Sequence, residues 1–171
     1  MKGYTHVYTG DGKGKTTAAL GLALRAAGAG LKVFIAQFVK GSEYSEHLAL
    51  ARFSESIIVK QYGRGFFLNR KPDEEDIQTA RKGLQELKDI MLFGGYDLVV
   101  LDEADVAAYY DLFSVDDLLD FIHSKPENIE LVVTGRMADP RVIDAADLAT
   151  EMKEIKHYFK KGVKARVGIE K

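Results

Sequence analysis

Thr9-Gly10-Asp11-Gly12-Lys13-Gly14-Lys15-Thr16-Thr17 is the stretch whose reading decides the fold. It follows a strand-like run, Thr5-His6-Val7-Tyr8, and opens an Ala- and Leu-rich run from Lys15 to Ala27 that reads as a helix closed by Gly28 and Gly30. A glycine-rich turn between strand and helix is the context a phosphate loop requires. Its backbone N–H groups converge on phosphate oxygens, and the helix N-terminus adds positive potential. Glycine is needed because a Cβ would block the turn or the approach of the phosphate. In this reading Thr9 to Thr17 form the nucleotide cradle, Lys15 reaches the phosphates and Thr16 offers its hydroxyl to Mg²⁺. The general pattern has glycine five residues before Gly14, where this chain has Thr9; counted from Gly10, the loop is one residue short.

Downstream, β-rich runs alternate with helical ones. Lys32–Phe38, Ser56–Gln61, Asp97–Leu101 and Glu130–Thr134 read as strands. A short helix is expected around Glu46–Phe53, a long amphipathic one over Pro72–Phe93, and others over Val115–His123 and Pro140–Ala146. Glu151–His157 and Ala165–Ile169 are candidate edge strands. The alternation predicts a single α/β domain over residues 1–171, a mainly parallel sheet covered by helices on both faces.

Leu98-Val99-Val100-Leu101-Asp102-Glu103 is four apolar residues followed by two acids. With a phosphate loop upstream, it reads as a Walker B strand whose carboxylates face a Mg²⁺–phosphate site. Asp102 and Glu103 are therefore candidate metal ligands beside Thr16. Val132-Val133-Thr134-Gly135-Arg136 ends another strand at the same rim, where Arg136 could meet the nucleotide. Gly63 to Arg70 is the most loop-like central stretch, and Phe66 and Phe67 within it suit either core anchoring or the apolar wall of a ligand site.

Composition narrows the function. Lys+Arg number 24 against 26 Asp+Glu, a balance that argues against a dedicated nucleic-acid coat. With no cysteine, thiol nucleophiles and Cys-ligated metals are excluded. His6, His47, His123 and His157 are scattered without metal-ligand spacing. No apolar run approaches the roughly 20 residues of a spanning helix, and Met1-Lys2-Gly3-Tyr4 leads straight into a strand, so a soluble cytoplasmic protein is expected. Residues 151–171 carry seven Lys/Arg against three Glu, which on charge alone reads as a solvated tail rather than a cover over a polyanion.

The phosphate loop followed by Ala18-Ala19-Leu20-Gly21-Leu22-Ala23-Leu24-Arg25-Ala26 resembles the P-loop type of ATP:corrinoid adenosyltransferase. The likeness continues through Gln37-Phe38-Val39-Lys40-Gly41, Gly65-Phe66, Leu101-Asp102-Glu103, Thr134-Gly135-Arg136, Ala146 to Met152, Lys156-His157 and Gly162 to Glu170. The short loop is what this family looks like. The resemblance implies a RecA-like fold, a homodimer, and transfer of the 5′-deoxyadenosyl group of MgATP to cobalt(I) of a corrinoid with release of triphosphate. ATP is implied to bind in reverse sense, its distal phosphates in the loop and its C5′ facing the attacker. Lys15, Glu103 and Arg136 are the implied catalytic residues. Arg25 joins the nucleotide set, Phe66 handles the corrinoid, and a flavoprotein is the implied electron donor. Two positions depart from the family pattern: Leu68 where the family has Trp, and Asp105-Val106 where it has an Asn/Thr-Tyr step. A kinase or ATPase acting at the γ-phosphate, and a non-catalytic ATP-binding module, are the competing readings of the same loop and acids.

Overall fold

Strands of four or five residues alternate with helices in the computed structural model, which describes residues 2–65 and 70–170. The order is β1 (Thr5–Thr9), α1 (Lys15–Gly28), β2 (Val33–Gln37), α2 (Ser45–Leu50), β3 (Ile57–Gln61), α3 (Glu74–Phe93), β4 (Leu98–Asp102), α4 (Ala104–Tyr109), α5 (Val115–His123), β5 (Glu130–Thr134), α6 (Pro140–Asp144) and β6 (Leu148–Glu151). Short 3₁₀ turns occupy Ala51–Phe53 and Tyr158–Lys161.

The strands form one sheet in the order β3-β2-β4-β5-β1-β6, and every neighbouring pair is parallel. Parallel pairing requires crossovers and covers both faces, so the central strands are apolar throughout. β2 and β4 are buried at all five positions. Their side chains still alternate between two cores. Phe34, Ala36, Val99, Leu101, Leu131 and Val133 pack under α3, α4, α5 and α6. Val33, Ile35, Leu98, Val100 and Val132 pack against Ala19, Ala23 and Ala26 of α1. Each such aliphatic side chain, fully buried, contributes about 1.5–3 kcal/mol. Small alanines on α1 let that helix lie close to the sheet and hold the phosphate loop at its end.

All strand C-termini share one rim because all strands run the same way. β5 lies between β4, which carries the acidic pair, and β1, which feeds the phosphate loop. Residues after β1, β2, β4 and β5 therefore meet at one place although they lie far apart in the chain.

The two edge strands expected near the C-terminus differ in the structure, and one helix has no counterpart in the sequence reading. The sixth strand is Leu148–Glu151, parallel to β1, and it stops where the chain turns toward the loop. Residues 152–157 form no strand, and Ala165–Ile169 is a turn: Arg166 O accepts from Ile169 N and Glu170 N, and Gly168 adopts φ +77°. Between the acidic pair and Val115 the chain forms α4, a helix too short to show a period in sequence.

Candidate active site at the sheet rim

Gly14 opens α1 at φ +122°, a conformation that needs glycine. Gly12 is required for a different reason. A Cβ there would lie 2.5 Å from the Met152 carbonyl oxygen, which accepts a hydrogen bond from Gly12 N at 2.6 Å. The backbone just after β6 thus braces the loop from behind. Lys15 is buried, and its Nζ donates to the carbonyls of Gly10 at 2.6 Å and Gly12 at 2.8 Å. Burial lowers its pKa, and the nearby charge of Arg136 lowers it further, while Glu103, Asp11 and Asp102 oppose the shift. The ammonium lies curled inside the ring of loop amides, where an anion would engage it.

Asp102, at the C-terminal end of β4, is fully buried and receives four donors. Thr16 Oγ1 and Thr134 Oγ1 each donate to Oδ1 at 2.8 Å. Gln37 Nε2 at 3.1 Å and Lys40 Nζ at 2.8 Å donate to Oδ2. One carboxylate therefore ties the phosphate-loop helix to the ends of β2, β4 and β5. Lys40 also faces Glu46 at 3.7 Å; burial is the largest influence and lowers its pKa, but the charge and hydrogen bond of Asp102 together with Glu46 and Glu103 leave it raised.

Glu103 follows in the left-handed region, φ +61° and ψ +23°. A non-glycine residue held there stores about 1–3 kcal/mol of strain, the kind that clusters at functional sites. Its backbone N–H donates to Thr134 Oγ1 at 3.1 Å. Burial and neighbouring Asp102 raise its carboxyl pKa, while Lys40, Lys15 and Arg136 counter the rise. Asp105, on the first turn of α4, is 2% exposed. Burial and the Glu103 charge push its pKa up to about 8.

The structure brings most of the sequence-predicted residues together: the loop from Thr9 to Thr17, Asp102, Glu103 and, through its charge on Lys15 and Glu103, exposed Arg136. Arg25 stands apart. It is exposed in the last turn of α1, ten residues beyond Lys15 and so about 15 Å along the helix. Phe66, Phe67 and Leu68 lie outside the described residues. Lys40, Gln37 and Thr134 were not singled out from sequence as site residues. Each is an ordinary polar residue at a strand end, and only the tertiary convergence on Asp102 reveals it.

The tail's described Lys and Arg side chains are exposed, as charge alone predicts, and the tail also touches the loop through Lys13. Lys13 Nζ donates to Glu170 Oε1 and Ile169 O, both at 3.0 Å, and to Tyr158 OH at 3.3 Å. Arg166, 5.1 Å from the Tyr158 ring centroid, also bonds Glu170. Arg166 foremost, with Tyr158 and Lys13, holds the Glu170 carboxyl well below the usual carboxylate range. If Lys13 grips phosphate, Glu170 competes for it. Glu170→Gln is expected to tighten nucleotide binding, by no more than about fivefold because exposed pairs are weak. Titration calorimetry checks this; unchanged or weaker binding would show that Glu170 does not compete.

Arg64 and Arg70 flank residues 66–69 and both reach the acids that begin α3. Arg64 Nη1 lies 3.0 Å from Asp73, and Arg70 Nη2 donates to Asp76 Oδ1 at 2.9 Å. Asp76 closes a capping box with Asp73. Its pKa is lowered, first by the Arg70 hydrogen bond. A lowered folded-state pKa adds stability above the unfolded value near 4, lost as pH falls through the folded value. Asp76→Asn should therefore cost about 1–2 kcal/mol at pH 7. Thermal unfolding should show that deficit shrinking as pH falls below the unfolded value near 4; a deficit equal at pH 7 and in acid would contradict the ionic account.

Parallel strands covered by helices, a glycine-rich loop opening a helix, and a threonine–aspartate pair beneath it make an α/β fold of the RecA-like kind. The solved flagellar accessory protein FlaH from Methanocaldococcus jannaschii shares that fold at a TM-score of 0.66, with 14% identity over 88% of this chain and 71% of its own. The family model described as ATP:corrinoid adenosyltransferase BtuR/CobO/CobP matches residues 1–170, and the chain belongs to that family of enzymes. A corrinoid adenosyltransferase from Pseudomonas aeruginosa is 37% identical over 99% of this chain and 84% of its own length. One from Escherichia coli K12 is 32% identical, over 99% and 86%.

Proposed function

We propose that this enzyme transfers the 5′-deoxyadenosyl group of ATP to the cobalt(I) of a corrinoid. The observation that carries the reading is the buried Lys15 within a loop whose helix is tied through Thr16 to Asp102, in a chain matched end to end by the adenosyltransferase family. Cobalt(I) is itself a strong nucleophile. Its electron pair forms the Co–C5′ bond, the C5′–O bond breaks, and that electron pair leaves on triphosphate. No proton transfer and no covalent enzyme intermediate are required. The protein must align the reactants and stabilise charge gathering on the leaving group. Lys15 and the loop amides meet that charge at the distal phosphates. Arg136 and Lys13 add positive potential at the rim.

The oxygen set fits Mg²⁺. Thr16 Oγ1 and Asp102 Oδ1 are already 2.8 Å apart, and Glu103 stands beside them. Mg²⁺ uses one or two protein carboxylates and fills its remaining positions with phosphate and water. Bound there, it would supply charge neutralisation on the phosphates. Glu103, strained and partly neutralised by Lys15 and Arg136, is assigned to hold that metal–phosphate arrangement rather than to act as a base.

The direct test mixes purified protein, MgATP and chemically reduced cobalamin, then follows the cobalt(I) absorption band. The reading expects that band to decay into a light-sensitive alkylcobalt spectrum. A persistent band with intact ATP would sink it.

A further inference from the structure

Beside the site lies a cavity of about 360 Å³ whose walls include Asp105, Tyr109, Val115, Met137, Pro140 and Val142. It sits under the segment that follows β5 and between α4, α5 and α6. The walls are mostly apolar, and they contain a carboxylate with no partner. Both oxygens of Asp105 lack a hydrogen-bond donor among the described residues. Asp139, also in the wall, is by contrast engaged by the backbone and side chain of Arg141. A buried polar group without a partner is costly and rare, so an orphaned carboxyl in a cavity wall asks for one.

The backbone fixes Asp105 in place. A Cβ on Gly135 would fall 2.6 Å from Asp105 Cβ, so the start of α4 is pressed onto the end of β5. The cavity also adjoins the phosphate loop. Ala138, in the segment that caps it, donates its N–H to Thr9 Oγ1 at 3.4 Å.

We infer that this cavity is a substrate subsite which takes an –NH₂ group carried on a flat, largely apolar body, with Asp105 as the acceptor. An aspartate side chain accepts a hydrogen bond from an exocyclic amino group through a carboxyl oxygen, and the neutral acid keeps its carbonyl oxygen as acceptor. Apolar walls with one placed polar group are the usual composition of a pocket that orients a small ring. The proposed reaction, on which this inference rests for the identity of its ligand, offers two sources of the same chemistry. One is the exocyclic amine of adenine, and the other is a peripheral carboxamide of the corrinoid. Asp105 would then be a specificity-determining residue.

The experiment measures binding without turnover, using wild type, Asp105→Leu, which keeps no acceptor, and Asp105→Asn, which keeps one. In the nucleotide arm, ATP, purine-riboside 5′-triphosphate (which lacks the amine) and inorganic triphosphate are titrated calorimetrically. In the corrinoid arm, hydroxocobalamin is compared with its monocarboxylic acid derivatives. In one arm, wild type should prefer the –NH₂ ligand by about tenfold or more. Asp105→Leu should bring that preference within about twofold, Asp105→Asn should fall between, and inorganic triphosphate should bind all three alike. The arm that responds names the source. Equal preferences in wild type and Asp105→Leu in both arms would overturn the subsite. If Asp105→Leu does not fold, Met137→Trp, which fills the cavity, replaces it with the same expectation. Loss of adenosylation with the binding preference intact would refute the reaction and leave the subsite standing.

Discussion

Replacing Lys15 with alanine is expected to lower kcat/KM for adenosyl transfer by two to three orders of magnitude. The scale is that of removing one preorganised donor aimed at developing charge, about 2–4 kcal/mol. Lys15 is buried within the loop, where it bonds the carbonyls of Gly10 and Gly12. Its lowered pKa shows how poorly burial tolerates the charge alone; an incoming polyanion supplies the missing counter-charge. Lys15→Arg should not rescue activity, because the curled ammonium occupies space that a planar guanidinium does not match. Steady-state kinetics on folded variants read the effect. Activity of Lys15→Ala within twofold of wild type would remove the phosphate role.

The second large effect falls on stability. Asp102→Ala is expected to cost about 3–5 kcal/mol, the range for removing one partner of a buried ion pair. Asp102 is fully buried and satisfies Thr16, Thr134, Gln37 and Lys40 together. Without it the Lys40 ammonium stays largely buried with only Glu46 at 3.7 Å, and two threonine hydroxyls lose their acceptor. For a chain of this size the loss corresponds to a fall in Tm of roughly 6–20 °C. Lys40→Met placed on Asp102→Ala should recover part of it, since the stranded charge goes too. Calorimetric unfolding of the single and double variants decides. A single variant within about 0.5 kcal/mol of wild type, the scatter of ordinary surface changes, would show that Asp102 does not knit the rim.

The strands, the glycine-rich turn that opens α1 and the place of Asp102 and Glu103 at the end of β4 are legible in sequence because each is written locally. Continuous apolar runs such as Leu98–Leu101 read as doubly covered strands, and glycine and lysine spacing reads as a loop. The rest depended on tertiary closure. Nothing local marks Lys40 or Thr134; they matter because parallel strands deliver their ends to one rim and Asp102 collects them. The described Lys and Arg side chains of the tail are exposed, as its basic excess predicts, while Glu170, one of its three glutamates, pairs with Lys13. Ala165–Ile169 alternates like a strand, but Gly168 and the Arg166–Glu170 pair wind it into a turn. Arg25 entered on resemblance and sits at the far end of α1. Asp105 is marked in sequence only as a departure from the family pattern; its burial, with no hydrogen-bond partner among the described residues, appears only in the fold.

The central claim is that the loop grips the distal phosphates while C5′ is left open to attack. ³¹P NMR of the spent reaction, run with protein, MgATP and reduced cobalamin, tests it most directly. Inorganic triphosphate rising in step with alkylcobalt product is the predicted result. ADP with orthophosphate, formed with or without the corrinoid, would contradict it and place the chemistry at the γ-phosphorus.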